Sequence, residues 1–119
     1  MIGFEIINHC NKDIVIVDLS NACCEEIISR LQHAQQEIAK LPPKSVLILT
    51  NAANTVYNTQ TSNAIKEFTA RNSPYVKASA VIGADGLRGV LLKTVAMLTK
   101  REIKPFDTQL EAMDWLVSH

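Results

Sequence analysis

The sequence predicts one α/β domain spanning residues 1–119, built on a mixed, mostly parallel sheet packed with helices. Three observations carry that expectation. The run Ser45-Val-Leu-Ile-Leu-Thr50 is apolar continuously rather than alternately, the pattern of a strand buried on both faces. Between such runs lie segments whose apolar residues recur every three or four positions, the period of an amphipathic helix. A chain of 119 residues with 47% hydrophobic and 20% charged residues can close a single core and is too short for two.

Taken in order, Gly3 to Ile7 and Asp13-Ile-Val-Ile-Val-Asp18 read as two strands of an opening hairpin, joined by the turn-rich His9-Cys10-Asn11-Lys12. Ser20 or Asn21 is placed to cap a helix in which Ile27, Leu31, Ala34, Ile38 and Leu41 share one face. Pro42-Pro43 stops that helix, because the residue before a proline is pushed out of helical geometry. After the strand ending at Thr50, Asn51 to Asn63 is rich in Asn and Thr and reads as the longest irregular segment. A helix burying Ala64, Ile65 and Phe68 follows, ending near Asn72-Ser73-Pro74. Val76 to Ile82 is a strand, Leu87 to Thr99 a helix, Ile103 to Phe106 a short strand and Thr108 to Val117 a last helix, whose Thr108 and Glu111 have capping-box spacing. The order β-β-α-β-α-β-α-β-α calls for parallel later strands joined by right-handed crossovers.

Composition narrows function by exclusion. Twelve basic and twelve acidic side chains leave no net field to draw the chain onto nucleic acid. The opening residues show neither a secretory signal nor a membrane span, and three cysteines without disulfide or metal spacing fit a reducing compartment, so a cytoplasmic location is expected. Cys23 and Cys24 lie near a helix start, but Glu25 and Glu26 oppose thiolate formation, and a packing or incidental role is expected of them. His9, His33 and His119 form no ligand cluster, so no metal site is expected. No Gly-x-Ser-x-Gly elbow is present, and the strand ending Leu49-Thr50-Asn51 has no phosphate-accepting Asp.

Glycines 83, 86 and 89 raise the question of a nucleotide loop. Their spacing is Gly-x-x-Gly-x-x-Gly, whereas a dinucleotide fingerprint needs Gly-x-Gly-x-x-Gly, and the Lys-Ser or Lys-Thr of a P-loop is absent. Asp107 stands about where a ribose-binding acid belongs, yet it also directly precedes the last helix, where an acid favours the N-terminus. Gly83 and Gly86 are explained by a strand-to-helix corner. Gly89 is not; with Leu92 and Ala96 it forms a small, partly apolar strip on the outer face of its helix, between Arg88, Lys93 and Lys100. That strip is expected to meet a partner, a second copy of the chain being one candidate.

The segment Pro74-Tyr-Val-Lys-Ala-Ser-Ala-Val-Ile-Gly83, the strand Ile103-Lys-Pro-Phe106 and the ending Glu111-Ala-Met-Asp-Trp-Leu116, together with the order of elements, resemble the STAS-like family related to sporulation anti-sigma-factor antagonists. The resemblance implies a small α/β domain, similar also to CRAL-TRIO lipid-transfer domains, generally without catalytic activity or cofactor. In the antagonists a serine within Asp-Ser-Ser-Gly, at the start of the helix after the third strand, is phosphorylated to switch partner binding. Laid on this chain without gaps, the motif falls at Asn58, Thr59, Gln60 and Thr61, so its acid and its serine are missing. Thr59, Thr61 or Ser62 could still accept phosphate at a helix N-terminus, or serve only as caps and turn formers.

The expected function is a non-enzymatic regulatory or protein-interaction domain, with contact through Asn58, Thr59, Thr61, Ser62, Gly89, Leu92 and Ala96. A carrier or sensor of a small apolar ligand held between helix and sheet is the alternative, and a nucleotide-binding enzyme is third.

Overall fold

The structure, a computed structural model, describes residues 4–53, 59–83 and 103–118. Its framework is a five-stranded sheet in the order β1-β2-β3-β4-β5, with β1 at Phe4–His9, β2 at Lys12–Asp18, β3 at Val46–Asn51, β4 at Val76–Ile82 and β5 at Ile103–Phe106. The strand β1 is antiparallel to β2, and every later pair is parallel. Helices α1 (Cys24–Ile38), α2 (Thr59–Asn72) and α3 (Gln109–Val117) complete the described elements. The expected helix Leu87 to Thr99 lies outside the described residues.

The hairpin closes through Cys10 and Asn11, both with φ above +50°, the left-handed backbone that a two-residue loop between twisted strands requires. Central strands β2 and β3 are buried on both faces, as continuous apolar sequence demands. Alternation then sorts their side chains. Val15, Val17, Val46 and Ile48 meet α1 and α2, whereas Ile14, Ile16, Leu47 and Leu49 meet α3. Adjacent parallel strands joined by crossovers of one hand place the connecting helices on one face, and α1 and α2 do share a face. The terminal α3 is no crossover and covers the other.

Local chemistry sets the helix ends. Ser20 and Asn21 do not cap α1: the Ser20 amide and hydroxyl both bond the Asp18 carboxylate, Asn21 is left-handed with φ 58°, and Cys23 takes the N-cap position without a side-chain cap bond. Glu25 and Glu26 instead favour the helix start through the dipole. The helix ends at Ile38, earlier than the prolines require, and Leu41 lies beyond it, half-buried against the core. Helix α2 begins at Thr59, so the last part of the segment expected to be irregular is helical. At α3, the Thr108 hydroxyl accepts from the Glu111 amide at 3.2 Å and donates to the Glu111 carboxylate at 3.0 Å. The hairpin clasps the far end of α3: Lys12 Nζ donates to the Val117 carbonyl at 2.8 Å and His9 Nε2 lies 2.8 Å from Asp114 Oδ1.

Candidate functional site

The carboxyl ends of the parallel strands meet at one edge of the sheet, where α2 begins. Backbone bonds continue past the strands there: Leu19 N donates to Asn51 O, Asn21 N to Ala53 O and Ala52 N to Ile82 O, at 2.8 to 3.0 Å. The Asn51 side chain accepts from Ala53 N at 3.1 Å, turning the chain off β3 toward α2. On the adjacent α1, Arg30 Nη1 donates to the Asp18 carbonyl at 2.9 Å and Nη2 to Glu26 at 3.3 Å.

Gly83 closes this edge. Its φ is +75°, and a Cβ built on it would lie 2.5 Å from Ala53 N and 2.6 Å from Ala53 Cα. Its bare face is therefore taken by the chain leaving β3, not held open for a phosphate; the helix expected beyond this corner lies outside the described residues. Asp107 is exposed and followed by the Thr108 cap, at the start of α3.

Helix α2 presents two unlike faces. Thr59, Gln60 and Asn63 are exposed at its first turns, where no acidic residue stands. Its inner stripe, at helical spacing, is Thr61, Ile65, Phe68, Thr69 and Asn72, all buried. Thr61 is fully buried, so of the two candidate threonines Thr59 alone reaches solvent. Ser62 lies in the helix; Asn58, Gly86, Gly89, Leu92 and Ala96 lie outside the described residues. Sequence reading took Ala64, Ile65 and Phe68 for the buried face. The missed residues Thr61, Thr69 and Asn72 continue it at i−4, i+4 and i+7 from Ile65, a signal hidden because they are polar. Thr69 Oγ1 donates to the Ile65 carbonyl at 2.8 Å, satisfying a hydroxyl that burial would otherwise strand.

Beneath α1 and α2 lies a cavity of about 40 Å³, walled by Leu19, Leu31, Ile48, Ile65, Phe68 and Val81, with Thr50, Thr69 and Ser79 as its hydroxyl-bearing residues. Two more open grooves flank the fold. One, about 260 Å³, runs between α1 and α2 beside Gln32, Gln35 and the Glu67–Arg71 ion pair. The other, about 370 Å³, lies at the amino end of the sheet by Ile6, Leu41, Pro42 and Lys77.

Among the described residues the remaining candidates are dispersed. Cys10 and Cys23 are exposed thiols, so packing does not account for Cys23; its Sγ donates to Glu26 Oε1 at 3.2 Å. His33 packs edge-on against Phe4 at 5.7 Å, while His9 pairs with Asp114. Among the described residues no group of His, Cys, Asp and Glu could hold a metal ion, and no helix is long and apolar enough to cross a membrane. The Trp-bearing ending is a docking device: Trp115 packs on Phe106 at 5.6 Å, Lys104 Nζ lies within 5.6 Å of both rings, and Ala112 and Leu116 are buried against the sheet.

No protein-family model matches the chain, and no curated protein does. Among solved structures, an uncharacterised protein of the DUF3478 family from Shewanella loihica PV-4, described as having a SpoIIAA-like fold, superposes with a TM-score of 0.70. The match covers 95% of this chain and 91% of that one at 15% identity, a level that speaks to fold. The chain, with its hairpin-led, mostly parallel sheet and flanking helices, therefore has a SpoIIAA-like, STAS-like fold.

Proposed function

We propose that the chain is a non-enzymatic regulatory domain that works by binding a protein partner, and that the first turns of α2 form the contact. One observation carries this reading: Thr59, Gln60 and Asn63 stand exposed and uncharged on the helix that opens at the carboxyl edge of the sheet. Helix N-terminal amides favour an anion, so a partner carboxylate, or a phosphate on Thr59, has a complementary field there. The strip of Gly89, Leu92 and Ala96 is proposed, on sequence grounds, as a second contact through which two copies meet.

A photo-reactive residue placed at Thr59 tests the contact, with Glu25 on the exposed start of α1 as control. Cross-linking in cells to one discrete protein, or to a second copy, from position 59 and not from 25 is expected. Equal labelling from both positions, or none, overturns the assignment.

The ligand-carrier reading draws support from the apolar walls beneath α1 and α2. At about 40 Å³ that cavity is well below the roughly 150 Å³ that admits benzene, so a lipid-sized ligand would need α2 to lift. Native mass spectrometry of the purified chain separates the readings: a co-purifying small molecule favours the carrier, and the bare chain mass favours the protein-binding module.

A further inference from the structure

Ser79 occupies the middle of β4, is 3% exposed, and its hydroxyl meets no hydrogen-bonding group among the described residues. Its register neighbours, Ile48 on β3 and Ile103 on β5, offer only hydrocarbon side chains, and all three residues line the cavity beneath the helices. Thr50 lies two residues along β3 from Ile48, so it shares that face, and Thr69 reaches the cavity from α2. Two facts about this space bear on its occupant. A buried hydroxyl that meets nothing carries its full desolvation cost. A single water needs only about 10–15 Å³ and two to four polar partners, and the cavity offers about 40 Å³.

We propose that this cavity is an internal hydration site, in which an ordered water bonds Ser79 Oγ and bridges to the hydroxyls of Thr50 and Thr69. Thr69 Oγ1 donates to Ile65 O, and its oxygen can accept from the water at the same time. An apolar occupant of similar size would fill the volume and leave Ser79 unsatisfied. Helix α2 thus rests on the sheet partly through solvent, which sets it apart from a dry core interface.

The test is water-to-protein magnetisation transfer by NMR on the isotope-labelled full chain, read at the Ile48 methyls, the Val81 methyls and the Ser79 amide, with xenon titration of the same sample. Long-lived water cross-peaks at these sites, several-fold weaker in Ser79→Ala, and no saturable xenon shift are expected. Cross-peaks absent from the wild-type chain, or unchanged in Ser79→Ala, overturn the proposal, as do saturable xenon shifts of the Ile48 and Val81 methyls. A clear rise in Tm for Ser79→Ala also overturns it, because relief of that size marks a hydroxyl that had no partner.

Discussion

Helices α1 and α2 lie side by side on the same face of the sheet, yet different chemistry holds them there. Along α1 the inner positions are Ile27, Leu31, Ala34 and Ile38, apolar and essentially fully buried. Each buried Leu or Ile contributes about 1.5–3 kcal/mol, and of these four residues Leu31 alone borders the cavity. Along α2 the corresponding stripe is Thr61, Ile65, Phe68, Thr69 and Asn72, mostly polar, and it overlies the cavity that Ser79 lines. Hydroxyls and an amide add little hydrophobic stabilisation. The difference teaches how one small sheet can carry both a fixed support and an adaptable element. On this account α1 and α3 hold the sheet, and α2 offers its first turns to a partner.

Substitutions that probe matched positions sharpen the contrast. Ile27→Ala on α1 removes a fully buried side chain from a tight interface and is expected to cost about 4 kcal/mol, read as a lower urea midpoint with an unchanged slope. Gly83→Ala places a side chain against the Ala53 backbone at a φ of +75° and is expected to cost about 3 kcal/mol, a left-handed penalty plus overlap. Should Gly83→Ala prove neutral, the close approach of Gly83 to the Ala53 backbone would be wrong. Ile65→Ala on α2 is expected to cost only about 2 kcal/mol, because its surroundings are already loose. Equal losses for Ile27→Ala and Ile65→Ala would erase the distinction between the helices.

Much of the scaffold was legible in the sequence, and the reasons are physical. A continuous apolar run marked β3, as a strand buried on both faces requires, and dense β-branched residues marked β2. Thr108 with Glu111 marked the start of α3, and the Ile103 to Phe106 strand with Trp115 and Leu116 pointed to the fold through their likeness to STAS-like domains. The candidate site was harder to read. Thr59, Thr61, Ser62 and Asn63 are weak helix formers, so composition assigned the segment to a loop, whereas burial of Thr61, Ile65 and Phe68 carries the helix back to Thr59. Ser20 and Asn21 have the chemistry of caps, but Asp18 captures Ser20 first. The cavity could not be read at all, since a void is a property of side chains from β3, β4, α1 and α2 together. The burial of Ser79 followed from its strand, but its lack of a partner among the described residues did not.

Native-state hydrogen exchange, resolved residue by residue on the full chain, tests the central claim most directly. Amides in α1 at Ile27 to Ile38 are expected to exchange only through global unfolding. Amides in α2 at Ile65 to Asn72 are expected to exchange through a smaller opening, at least tenfold faster, with weaker denaturant dependence. Identical exchange free energies and denaturant slopes for the two helices would contradict the account, because α2 would then be as firmly seated as α1.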